Sequence, residues 1–139
     1  MSELPDSDDL KIMVDVGFVA ASRGLVAHAE AIFQAVEAMR PRSEAPAIGL
    51  AMVDLAMERP QAAVERLNRA VATPATRAFL GLALMRAGDK DEARAVVDQV
   101  LASGQEHPAM EIARAVRAEL ETMAPTGLSA LFITPQAKP

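Results

Sequence analysis

The stretch Leu80 to Val97, LGLALMRAGDKDEARAVV, decides how the whole chain is read. Leu80, Gly81 and Leu84 place large, small and large residues at helical spacing, and Ala93 and Val97 repeat that face on a second segment. Between them Gly88 suits the left-handed conformation that ends a helix, while Asp89, with Glu92 three residues on, has the form of a helix start. Two helices joined by so short a break fold back on each other. A small residue is then needed where they cross, with larger ones filling the angle on either side. Gly81 and Ala93 supply it.

Working outward, the same arrangement occurs twice upstream. Val16-Gly17 and Ala20 lead through Gly24 to Ala29 and Phe33, with Pro41 closing; Leu50-Ala51 lead to Ala63 and Leu67, with Pro74 soon after. The small residue of the first helix precedes that of the second by one constant step, from Gly17 to Ala29, Ala51 to Ala63 and Gly81 to Ala93. Ala29 and Ala63 are 34 residues apart but Ala63 and Ala93 only 30, so the second pair is expected to be shortened near Ala72 to Thr76.

Helix punctuation marks the same boundaries. Ser7 before Asp8 and Asp9 is expected to cap the first helix, Ser43 to open the third, and Thr73-Pro74 to open the fifth, with Pro at the first helical position. His107-Pro108 places a Pro similarly. The spacing predicts helices over 8–22, 25–39, 44–58, 60–72, 74–87, 89–103 and 107–123. The last is expected to cap the array with an inner face of Met110, Ala113, Val116 and Leu120. The chain thus divides into an N-terminal segment 1–7, one domain over 8–123 and a tail over 124–139. Leu128, Leu131, Phe132 and Ile133 make that tail too apolar for a merely solvated end, and they are candidate docking residues.

Composition agrees with one helical domain. In 139 residues, 51% apolar composition suffices for a continuous core, while aromatics at 3%, with neither Trp nor Tyr, disfavour a sheet. The formal net charge of -5, with Lys and Arg scattered singly, offers nothing to neutralise phosphates and excludes nucleic acid as the expected partner. Met1 to Asp9 is acidic rather than a cationic apolar leader, and no apolar run reaches the roughly 18 residues of a membrane span. No Cys is present for disulfides or thiolate metal sites. A cytoplasmic protein is expected.

If the first helix of each pair lines a concave face, the inward positions are Val14, Phe18 and Ala21; Ile48, Met52 and Leu55; Ala78, Leu82 and Met85. All nine are apolar. At helical spacing each is also a candidate for ordinary core. As a set they form a second apolar stripe beside the one that packs the pairs, and a stripe of that kind marks a binding surface. It suits an amphipathic helix, with the methionines adapting to its shape. It lacks the inward Lys, Arg or Asn that would hold a C-terminal carboxylate.

The three in-phase units resemble the tetratricopeptide family from Lys11 to about Met123, although Asp54 stands where that family has a large residue. The resemblance implies an all-α, right-handed solenoid of three helix hairpins plus a capping helix. The first two units, with Gly24-Leu25 before Ala29-Glu30 and Arg40-Pro41 closing, are also similar to the small bacterial chaperones of type III secretion that sequester needle subunits. That likeness implies a client helix held in the groove, with a small co-chaperone as a further partner.

No enzyme, cofactor or metal is expected. His28 and His107 belong to no short-spaced ligand set, and phosphate loops and nucleophile elbows are absent. Glu37, Glu44 and Glu58 read as solvated helix faces, and Asp54 as a salt bridge or a frayed repeat rather than a catalytic acid. Three binding roles stay open: a secretion chaperone using the groove, a scaffold using its convex face or tail, and a protein that pairs with a second copy through groove or tail.

Overall fold

The computed structural model describes residues 6–123, and within them the protein is all-α. Seven helices follow one another: α1 (Ser7–Ser22), α2 (Val26–Met39), α3 (Glu44–Ala56), α4 (Pro60–Arg69), α5 (Pro74–Arg86), α6 (Lys90–Ala102) and α7 (Ala109–Met123). The candidate tail residues Leu128, Leu131, Phe132 and Ile133 lie outside the described residues.

The helix starts and stops have local causes. Asp6, not Ser7, caps α1, its carboxylate accepting from the Asp9 amide at 2.9 Å. Asp6 lies one residue ahead of the helix in extended backbone, so its side chain turns back over the first free N–H groups; Ser7 is already helical. Thr73 caps α5 reciprocally with Thr76: each side-chain oxygen accepts from the other residue's amide, at 3.1 and 2.8 Å. Ser43 and Asp89 precede α3 and α6 without a side-chain capping bond.

Equivalent positions end the first helix of each pair. Gly24 and Gly88 have φ of 77° and 91°, in the left-handed region that glycine enters freely. Glu58 occupies the same place after α3 at φ 58°, where a Cβ makes that conformation costly. The shortening of the second pair falls on α4, which stops at Arg69 rather than at Ala72. Ala70 is extended, and the carbonyl of Val71 accepts from the Thr76 hydroxyl at 2.7 Å, so residues 70–73 form a link tied to the start of α5.

Packing follows the sequence pattern. Each helix packs against its successor, and α1, α3, α5 and α7 also pack in that order against one another. Gly17, Ala29, Ala51, Ala63, Gly81 and Ala93 are all buried. They let backbones approach: a Cβ on Gly17 would stand 2.8 Å from Phe33 Cζ, and one on Gly81 would collide with Val97. Phe33 is fully buried and is pressed from the far side by Gly49 of α3, where a Cβ would overlap the ring. Its ring also meets Phe18 edge to face at 4.9 Å.

Two buried clusters result. One, of Ala20, Ala29, Phe33, Leu50 and Val53, joins α1, α2 and α3. The other runs from Ile48 and Ala51 of α3 through α4, α5 and α6 to α7. There α7 contributes Met110, Ala113, Val116 and Leu120, all buried as their spacing predicts, and turns Glu111, Arg114, Arg117, Glu119 and Glu121 outward.

Candidate functional site

The nine predicted groove residues do not behave alike. Ile48, Ala78 and Met85 are buried within the larger cluster and unavailable to a partner. The reason is that α3 and α5 pack directly on each other, so positions between them are covered by the neighbouring helix rather than opened to a groove. The other six, Val14, Phe18, Ala21, Met52, Leu55 and Leu82, are half-buried. Val14 and Ala21 lean on the first cluster, Met52, Leu55 and Leu82 on the second, and Phe18 on both.

What remains is therefore a narrower apolar row than the sequence suggests. It runs over three consecutive packed helices, and each member has one side in the core and one in solvent. The row carries no charged side chain of its own, so it can remove an apolar ligand face from water without stranding an ion. At the C-terminal ends of α3 and α5 it opens onto a cleft lined by Leu55, Glu58, Pro60 and Arg86.

Asp54 is buried, at 2% exposure, and is ion-paired as one of its two sequence readings expects. One carboxylate oxygen accepts from Arg59 Nη2 at 3.1 Å and the other from Arg66 Nε at 3.1 Å. Arg59 also reaches Glu30 of α2 at 3.5 Å. The same turn that forces Glu58 into the left-handed region thus delivers Arg59 to Asp54, while α4 delivers Arg66. These four residues tie α3 to α4 and to α2 where the middle pair departs from its neighbours.

The remaining polar candidates have local roles. His28 is exposed, and His107 uses Nδ1 to accept from the Ala109 amide at 3.0 Å, holding the start of α7. Glu44 is not merely solvated: it accepts from the Thr73 hydroxyl at 2.5 Å, linking the first turns of α3 and α5. Among the described residues, no three or more His, Asp or Glu side chains gather to hold a metal ion, and no helix is long and apolar enough to cross a membrane.

The motif also places Val16 among the packing residues, and the structure corrects this: Val16 is 49% exposed. With Ile12 at 60% and Val19 at 54%, it forms an apolar line on the outside of α1. The line was readable as apolar residues four and three apart. What hid it is that the corresponding residues of the other pairs do pack. Compared with known proteins, the chain matches no family model, no curated protein and no solved structure.

Proposed function

We propose that the three helix pairs and α7 form a tetratricopeptide-like solenoid that acts without catalysis, as a module for binding an amphipathic helix. The observation that carries this reading is the half-buried row of Val14, Phe18, Ala21, Met52, Leu55 and Leu82 along α1, α3 and α5. A ligand helix laid on it presents residues at i, i+3, i+4 and i+7 and finishes the burial that the fold leaves half done. A client whose apolar stripe is covered in this way stays monomeric and soluble. Together with the likeness of the first two units to needle-subunit chaperones, this supports a chaperone of type III secretion in the cytoplasm. Its client would be an aggregation-prone helical subunit, with a small co-chaperone as a further partner.

The test uses Met52→Glu with Leu82→Glu. Phe18 is a poor probe, because its ring braces Phe33 at 4.9 Å and a charge there would disturb the core. The double variant and the parent chain are purified with whatever they retain. Circular dichroism confirms the fold of each, and any retained helical protein is then prepared alone. Loss of a small helical protein from the folded variant, together with aggregation of that protein by itself, is the expected result. An identical complement on parent and variant refutes the groove as the client site.

A further inference from the structure

The outer line of α1 has a meaning that the internal pairs disclose. Ile12, Val16 and Val19 correspond, by the offsets that relate Gly17 to Ala51 and Gly81, to Pro46, Leu50 and Val53 of α3 and to Thr76, Leu80 and Ala83 of α5. All six of those residues are buried, because the preceding helix pair lies over them. In α1 the same three positions stand 60, 49 and 54% exposed. The face that each later pair presents to a preceding layer is thus left uncovered on α1 among the described residues.

The opposite end is finished differently, since α7 covers α5 and α6 and turns a charged face outward. A head-to-tail chain of copies would have to lay the apolar face of α1 on that charged face. Among the described residues, only contacts between two such α1 faces bury apolar surface on both sides, and these close as a two-fold pair. The charges at the two ends of α1 suit that symmetry, while the exposed Asp15 lies beside the axis. Asp8, Asp9 and Arg23 are exposed, belong within about 60° of the Ile12–Val16–Val19 line at roughly 100° per residue, and form no ion pair among the described residues. The acids lie at the start of α1 and Arg23 at its end.

We infer that α1 is a homodimer interface: two copies pair their first helices antiparallel about a two-fold axis near Val16. Ile12 then meets Val19 of the second copy, and Asp8 and Asp9 meet its Arg23. The residues involved are distinct from the half-buried row on α1, so the pairing leaves Val14, Phe18 and Ala21 free for a ligand. One helix pair of this length falls at the small end of stable interfaces, so the dimer is a weak one, formed in the micromolar range.

Sedimentation velocity of the full chain tests this. Between about 1 and 100 µM the parent protein is expected to pass from monomer to dimer and no further. Val16→Glu changes an exposed residue and is expected to remain monomeric throughout with an unchanged melting curve. Arg23→Asp is expected to weaken the dimer at least about tenfold, and adding Asp9→Arg to restore it, since the swapped charges meet again only in the antiparallel arrangement. A parent chain that is monomeric over the whole range overturns the inference. So does a dimer indifferent to Val16→Glu, a charge swap that fails to restore pairing, or growth into ever longer assemblies.

Discussion

Removing the buried anion at Asp54 is expected to cost less than removing the two more exposed cations that serve it. The asymmetry comes from exposure. The Asp54 side chain is 4% exposed, whereas those of Arg59 and Arg66 are 44% and 29% exposed. Asp54→Ala deletes two hydrogen bonds to charged groups, each worth about 1.5–3 kcal/mol net when well shielded, but both arginines are partly exposed, which discounts that figure, and once the carboxylate is gone both guanidinium heads can turn to water. A net loss of about 1–2 kcal/mol follows. Arg59→Met with Arg66→Met leaves the carboxylate buried and unpaired, for which about 3–5 kcal/mol is the usual penalty.

Adding Asp54→Ala to the double arginine variant should then recover about 2 kcal/mol or more, so a mutation that destabilises the parent stabilises the variant. With neither Trp nor Tyr in the chain, urea unfolding is followed by circular dichroism at the helical band, and midpoints are compared at constant slope. Should Asp54→Ala prove as damaging as the double arginine change, or fail to rescue it, the carboxylate is not carrying a desolvation cost that the arginines offset, and the argument fails.

Two further outcomes are expected. Glu58→Gly relieves a left-handed residue at the position where the other pairs carry glycine, and should stabilise by about 0.5–1 kcal/mol, read as a higher urea midpoint; a loss of stability would mean that the Glu58 side chain has a role the turn geometry does not show. Gly49→Ala should destabilise by about 1–3 kcal/mol despite the better helix propensity of alanine, since the new methyl collides with Phe33. Adding Phe33→Leu should return part of that loss if the clash is the cause.

Local features of the fold were legible because they depend on neighbours in sequence. The crossing residues Gly17, Ala29, Ala51, Ala63, Gly81 and Ala93, the Thr73-Pro74 start and the inner face of α7 follow from period and capping chemistry. The candidate site was legible only as a set of apolar positions. Which of them face solvent depends on how one helix pair sits on the next, and that is why Ile48, Ala78 and Met85 are core while Met52, Leu55 and Leu82 are not. The same long-range dependence explains Val16, which satisfies the motif but has no preceding layer over it among the described residues. Gly49 was hidden for a different reason: it lies off the repeat, and its need for glycine comes from Phe33 of another helix. Asp54 was visible as an oddity, but its partners lie 5 and 12 residues away across a turn.

The division of the interior into two clusters gives the molecule an uneven cooperativity. Helix α3 is the one element with fully buried members in both, turning Leu50 and Val53 to one side and Ile48 and Ala51 to the other, while Phe18 of α1 leans on each. The pair α1–α2 depends on α3 for its burial, while the cluster that runs to α7 holds most of the buried residues without it. Opening of α1 and α2 as one unit therefore leaves the rest folded, and unfolding that begins elsewhere does not spare them. Amide exchange would register this as two tiers of protection meeting within a single helix, with α3 as the boundary across which the stability of one half is lent to the other.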